Sequence, residues 1–141
     1  MRLFDHPNIV KFIQVFEGDN HYYLITELLQ GGDLYERMLG IENFSNQISY
    51  FLLIQLLQAL EYIHGFGYVH RDLKPANILF QDKSRYLLKI IDFGFVEKIN
   101  SEFSIKKCGT NGYLAPELFS NPLYNEKVDI FSLGIIYYIM Y

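Results

Sequence analysis

Residues 70–77, His70-Arg71-Asp72-Leu73-Lys74-Pro75-Ala76-Asn77, and the triplet Asp92-Phe93-Gly94, fifteen residues beyond Asn77, decide how this chain is read. Asp72 and Lys74 are two apart, so an extended backbone points both side chains to the same side. Between Asn77 and Asp92 lie an apolar run, Ile78–Phe80, a polar turn, Gln81–Tyr86, and a second apolar run, Leu87–Ile91. That pattern is a β-hairpin, and a hairpin brings its two ends together. A carboxylate, an ammonium, an amide oxygen and a second carboxylate are thereby gathered around one point. The amide oxygen of Asn77 and the carboxylate of Asp92 are hard oxygen ligands of the kind Mg²⁺ takes. The Lys74 ammonium suits a phosphate. Asp72 remains to orient a hydroxyl and receive its proton.

Upstream of this loop, Gln47–His64 reads as a long helix. Its polar positions Gln55, Gln58, Glu61 and Gly65 recur at intervals of three or four, and nearly everything else is apolar. Such a helix is expected to be buried around most of its circumference. Gly65 and Gly67 end it. Earlier still, the runs Ile9–Phe16 and His21–Leu28, split by Glu17-Gly18-Asp19-Asn20, read as two strands and a turn. Gln30-Gly31-Gly32 breaks the pattern. Asp33 can then cap a short helix through Leu39 by accepting from the amides of its first turn. Downstream of the hairpin, Asp92–Tyr113 reads as a loop, and a last helix starting near Asn125–Asp129 is apolar to the end. The fold class is α+β with a helical majority, without repeat or linker.

The remaining arithmetic narrows the function. The chain has 141 residues, 50% hydrophobic and 17% aromatic, which excludes disorder. A net charge of −4 and the lack of a basic stripe point away from nucleic acid. The longest apolar run, Ile130–Tyr141, is too short for a transmembrane helix, so no membrane partner is expected. One cysteine, Cys108, and a start without an apolar signal run indicate a reducing, cytoplasmic setting, with the nucleus open as well. Twelve Phe and twelve Tyr are many for a body this small, so some of that area is expected to be covered by a partner or by further chain.

Two more motifs extend the loop signal: Gly109-Thr110-x-x-Tyr113-x-Ala115-Pro116-Glu117 and Asp129-x-x-Ser132-Leu133-Gly134. With them the chain resembles, over essentially its whole length, the catalytic domain of eukaryotic serine/threonine protein kinases. The resemblance implies a partial protein-kinase-like fold. Residues 1–29 would be the end of the N-lobe and the hinge, and residues 30–141 the C-lobe, truncated in its last helix. It also implies ATP and Mg²⁺ as cofactors, a protein substrate with a Ser or Thr acceptor, and a monomeric catalytic domain within a longer chain.

Roles carry over residue by residue as implications of that resemblance. Asp72 is similar to the catalytic base, Lys74 to the neutraliser of the γ-phosphate, and Asn77 and Asp92 to the Mg²⁺ ligands. Thr110 resembles the residue that contacts Asp72 and Lys74. Arg71 resembles the arginine that pairs with an activation-loop phosphate. For the nucleotide, backbone groups of Glu27 and Leu29 would bond the adenine edge, Thr26 would be the gatekeeper, Leu79 the floor, and Asp33 would face the ribose. His70, Phe93 and Phe12 resemble a stacked column anchored by Asp129, which would bond the backbone of the His70–Asp72 turn. Ile136 and Met140 would support the floor.

The sequence also departs from the family. The Gly-rich loop, the phosphate-binding strand lysine and its partner glutamate have no counterpart, and by the family's spacing Met1 falls just past that glutamate. A second reading therefore stays open: a catalytically incompetent kinase fragment, or a pseudokinase-like binding module. The intact Asp72, Lys74, Asn77 and Asp92 favour the enzyme. The usual phosphoacceptor position is Lys106, with Ser101 and Ser104 nearby. Lys106 and Lys107 would sit unfavourably near Arg71 unless an acidic group intervenes, so activation by the common phosphorylation is not expected. Ala76 stands where many base-directed kinases carry an acid. The stretch Gly31-Gly32-Asp33 is most similar to the calcium/calmodulin-dependent group.

Overall fold

Helix α2 (Asn46–Gly65) supplies Leu52, Leu56, Ala59, Leu60 and Ile63 to a core whose other members range from Phe4 to Met140. Ser45 caps it, its hydroxyl accepting from the Ile48 amide at 3.3 Å, which satisfies one of the orphan donors of the first turn. The buried positions Leu52, Leu56, Ala59, Leu60 and Ile63 fall three or four apart and line one broad stripe. The computed structural model describes residues 3–40, 44–99, 108–120 and 124–141. The expectations for Met1, Ser101, Ser104, Lys106 and Lys107 lie outside those residues. Among the described residues, no helix is long and apolar enough to cross a membrane.

Before α2 come an antiparallel ribbon of β1 (Phe12–Glu17) and β2 (Tyr22–Thr26), then the short helix α1 (Leu34–Gly40). After it come β3 (Tyr68–Val69), a 3-10 turn (Pro75–Asn77), β4 (Ile78–Phe80), β5 (Leu88–Ile90), β6 (Glu97–Lys98), α3 (Glu117–Ser120) and α4 (Lys127–Met140). Three two-stranded antiparallel sheets result: β1 with β2, β4 with β5, and β3 with β6. The α+β reading holds.

The main core joins α2 to the β4–β5 hairpin and to Leu133, Ile136 and Met140 of α4. Ile136 and Met140 are fully buried there. The hairpin is in turn fastened to the segment that opens α1. Gly31 donates to the Phe80 carbonyl and Phe80 to the Gly32 carbonyl, at 3.0 and 2.9 Å. A Cβ on Gly31 would lie 2.4 Å from the Phe80 Cβ and 2.5 Å from the Asp82 carbonyl, so only glycine permits this approach. Asp33 caps α1 as expected, accepting from the Glu36 amide at 2.7 Å.

Three readings of the sequence need correction. Residues 8–10 do not continue β1. They pair with β5, through Val10 N–H to the Ile90 carbonyl and Ile90 N–H to the Asn8 carbonyl, at 3.0 and 2.9 Å. The expected loops at 68–77 and 92–113 contain the β3–β6 pair, whose two residues per strand are too few to show a period. Gln55 does not mark a polar face of α2: it is buried, 6% exposed.

Gln55 is buried because every polar atom of its side chain has a partner. Its Oε1 accepts from Asn8 Nδ2 and from the Leu88 amide, both at 2.9 Å, and its Nε2 donates to the Tyr86 carbonyl at 2.7 Å. One amide thus links the segment before β1, helix α2 and strand β5. Gln55→Leu leaves the Leu88 amide and one Asn8 hydrogen without this acceptor, at a cost of about 1–3 kcal/mol. Urea unfolding is expected to show a lower midpoint at unchanged slope. A midpoint equal to wild type would remove this role for Gln55.

Candidate active site

The loop between β3 and the 3-10 turn carries Asp72 and Lys74. Its shape is set first by Arg71, which adopts a left-handed backbone (φ 70°) that a non-glycine residue rarely takes. Asp129, in the first turn of α4 and fully buried, holds that turn. Its carboxylate accepts from the His70 amide at 2.8 Å and from the Arg71 amide at 2.9 Å. The expected anchoring by Asp129 is therefore present. His64 carries no motif in the sequence, yet its Nε2 bonds the same carboxylate at 2.8 Å and ties α2 to this junction.

Gly109 brings a second segment against the loop. Its φ is 109°, and a Cβ there would lie 2.5 Å from the Arg71 carbonyl. Thr110 consequently reaches Asp72 and Lys74. Its hydroxyl donates to Asp72 Oδ1 at 2.7 Å and accepts from Lys74 Nζ at 2.8 Å. Lys74 also donates to Asp72 Oδ2 at 2.8 Å, and Asn77 Nδ2 reaches the same oxygen at 3.1 Å and the Asp72 carbonyl at 2.9 Å. Burial pushes the Asp72 carboxyl upward. The bonds from Lys74 and Thr110, the charge of Lys74 and the bond from Asn77 outweigh it, and the net shift is downward. Asp72 is an ionised, fixed acceptor, better suited to orienting a hydroxyl than to pulling off its proton before the reaction starts.

The hairpin delivers the second carboxylate. Ile91 N–H bonds the Asn77 carbonyl at 2.9 Å, which sets Asp92 beside Asn77 as expected. Asp92 also has a left-handed backbone, φ 58°, and its Oδ1 accepts from the Gly94 amide at 3.1 Å. Among the described residues, no group of three or more His, Cys, Asp or Glu could hold a metal on its own. One carboxylate and one amide oxygen fit Mg²⁺, which keeps waters and shares substrate phosphates, better than a cation needing a full protein cage.

A cleft of about 900 Å³ opens next to Asp92. Thr26, Glu27, Leu29, Leu79 and Asp92, all expected at a nucleotide site, line it, together with Val10, Phe12 and Phe93. Asp33 is not in its lining. It pairs by backbone with Leu79 and uses its Oδ1 to cap α1. The Glu27 carboxylate has a task the sequence did not reveal: it accepts from the Lys11 amide and from Lys89 Nζ, both at 2.7 Å. Burial raises its pKa, but Lys89 and Lys11 together bring the net shift below the usual value.

His70 is a packing residue, as expected. It is fully buried, and its ring meets Phe93 edge-on at 5.2 Å; Phe93 meets Phe4 at 5.5 Å. Its Nδ1 lies 3.4 Å from the Asp72 amide and its Nε2 lies 3.3 Å from the Ile91 carbonyl. One nitrogen accepting while the other donates describes the neutral ring. Burial holds its pKa below the ordinary 6.5 despite the attraction of Asp129.

A group neutral in the fold takes its proton first in the unfolded chain. Stability is then complete above pH 6.5, the ordinary histidine value, and falls as the pH drops below it toward the depressed folded value. His6, lowered by burial and by Lys89, acts in the same direction. Asp72 and Glu27 are depressed carboxyls and lose their contribution only at more acid pH, through values below 3.8 and 4.5. The urea midpoint is therefore expected to fall between about pH 7 and 5.5, and to fall less in His70→Phe. An equal midpoint at both pH values in the wild type would contradict the neutral buried ring.

Arg71 is engaged on two sides by protein groups. Its Nε donates to the Phe95 carbonyl at 2.7 Å, and its Nη1 donates to the Glu97 carboxylate and to the Tyr124 hydroxyl, the latter at 2.8 Å. Neither Glu97 nor Tyr124 carries a sequence signal for this. Cys108 lies nearby with its thiol pushed up chiefly by burial, in keeping with a packing residue.

Asp72, Lys74, Thr110 and Asn77 form one hydrogen-bonded cluster, and Asp92, which the hairpin returns toward Asn77, lines the apolar cleft. The family description "Protein kinase domain" matches residues 1–141, and the chain belongs to that family. It is 40% identical over 144 residues to rat (Rattus norvegicus) ribosomal protein S6 kinase alpha-1, covering 99% of this chain and 20% of that protein. It is 38% identical over 141 residues to calcium/calmodulin-dependent protein kinase type 1 of Macrobrachium nipponense, covering 99% of this chain and 41% of that one. The chain thus spans less than half the length of these curated relatives.

Proposed function

We propose that this chain is the catalytic core of an ATP-dependent serine/threonine protein kinase, with residues 1–29 ending the N-lobe and forming the hinge, and residues 30–141 forming the C-lobe. The observation that carries the reading is the Asp72 carboxylate held from three directions by Thr110, Lys74 and Asn77. The bond from Lys74 to Thr110 favours a serine or threonine acceptor, since this pair belongs to the serine/threonine pattern. The adenine would lie in the cleft over Leu79, with backbone groups of Glu27 and Leu29 at its edge and Thr26 at the back. Asp33 would serve the ribose with the part of its carboxylate that does not cap α1.

Asn77 and Asp92 would hold Mg²⁺, which supplies neutralisation of the phosphate charge when bound. Lys74 would neutralise the transferring γ-phosphate. Asp72 orients the substrate hydroxyl and receives its proton as the new oxygen–phosphorus bond forms and the bond to the departing ADP oxygen breaks. Positioning and charge account for most of the rate in such a reaction.

A fluorescent ATP analogue tests the reading. Binding to the full-length protein is expected to need Mg²⁺ and to be lost in Asp92→Ala and in Leu79→Glu. Binding indifferent to both variants would refute the site. Residues 1–141 contain no Gly-rich loop or strand lysine of the family type, so this stretch alone is expected to bind without turnover at the ~1–100 s⁻¹ of kinases. Binding without transfer in the full-length protein as well would favour the second reading, a kinase-derived binding module.

A further inference from the structure

The surroundings of Arg71 contain the acidic group that the sequence seemed to lack. Arg71 follows the β3 strand, whose Val69 pairs directly with Glu97 of β6. That register sets Glu97 beside the Arg71 turn, where its carboxylate accepts from the guanidinium. The Arg71 side chain is 8% exposed, whereas Glu97 reaches solvent at 37%. The Arg71 cation is largely buried, and a strand-borne carboxylate that still reaches solvent supplies its counter-charge. The same guanidinium bonds the Phe95 carbonyl and the Tyr124 hydroxyl, so it ties together the turn before β6 and the segment before α4.

We propose that Glu97 is a built-in counter-charge for Arg71, a positioning residue that sets the catalytic loop without a phosphate on the segment that follows β6. This deepens the kinase reading and rests on it. The chain of contacts is short. Glu97 holds the Arg71 side chain, and Asp129 holds the Arg71 amide in its left-handed turn. The next residue is Asp72. A phosphate brought to this guanidinium would meet a cation already neutralised and a carboxylate that repels it. Phosphorylation nearby would therefore add little order to a loop that is already ordered.

The test uses the full-length protein treated with a phosphatase, and reads amide hydrogen exchange in residues 68–77. Wild type is expected to show slow exchange at Arg71–Lys74 in the unphosphorylated state. Glu97→Gln is expected to speed exchange there about tenfold, the worth of a charge-assisted bond, while α2 exchange and the melting temperature stay near wild type. Glu97→Asp is expected to restore most of the protection. A merely structural role would instead raise exchange throughout and lower the melting temperature. In turnover, Glu97→Gln is expected to lower kcat with KM for ATP unchanged.

Two outcomes would overturn the proposal. One is wild-type exchange as fast as in Glu97→Gln. The other is a gain of protection or kcat when the wild type is phosphorylated. The wild-type comparison alone decides the matter should Glu97→Gln fail to fold. The Mg²⁺-dependent ATP-analogue binding is measured on the same preparations. Its loss in the wild type sinks the kinase reading, whereas retained binding with an indifferent Glu97 sinks this proposal only.

Discussion

Asp72→Asn is expected to lower phosphoryl transfer by the full-length protein about 10²–10⁴-fold, the range of general acid–base catalysis, with little change in KM for ATP. The substitution keeps the shape of the side chain and one acceptor oxygen. It removes the charge, and with it the site that takes the hydroxyl proton. Three of the roughly four acceptor positions of the Asp72 carboxylate are taken within the chain, Oδ1 once by Thr110 and Oδ2 by Lys74 and Asn77, which leaves Oδ1 able to accept a hydroxyl. The substituted amide would offer an NH₂ group to partners that are themselves donors, so the Lys74 ammonium would also lose its counter-charge. The cleft proposed to take the nucleotide is lined by Leu79 and Asp92 and does not include Asp72. The check is steady-state phosphorylation of a serine/threonine peptide beside the ATP-analogue titration. A variant within about threefold of wild-type kcat would show that Asp72 is not the acceptor.

The groups in this argument differ in how far the sequence exposed them. Asp72, Lys74 and Asn77 lie within six residues, and a hairpin of plain apolar–polar–apolar pattern returns the chain at Asp92. Local geometry was enough there. Thr110 required the resemblance, because its approach depends on Gly109 passing close to the Arg71 carbonyl. Contacts that join distant stretches stayed hidden. Glu97 reads as an ordinary surface acid until the Val69–Glu97 register is seen, and His64 meets Asp129 across 65 residues. Gln55 misled because a polar side chain on an apolar helix reads as surface; its burial depends on acceptors and donors at positions 8, 86 and 88. The aromatic excess was partly explained. Phe4, Phe44 and Phe80 are in the core, while Phe16, Tyr22 and Tyr23 on the β1–β2 ribbon and Tyr138 and Tyr141 at the end of the chain are exposed.

Asp129→Ala is expected to cost about 3–5 kcal/mol of stability, the range for removing one partner from a buried charged network. The side chain is fully buried, and its two oxygens serve three donors: the His70 and Arg71 amides and His64 Nε2. Alanine provides no acceptor for these donors. The two amides cannot turn elsewhere, because Arg71 is held at φ 70° and His70 is packed against Phe93. Such a left-handed turn itself costs about 1–3 kcal/mol and persists only while its surroundings enforce it. A domain of this kind has about 5–15 kcal/mol in all, so the variant would sit near the edge of folding. Its melting temperature is expected to fall by about 10–20 °C. Asp129→Asn keeps one acceptor and is expected to fall by less, which separates the lost hydrogen bonds from the lost charge. A shift below about 3 °C for the alanine variant would show that the loop holds its shape without this carboxylate.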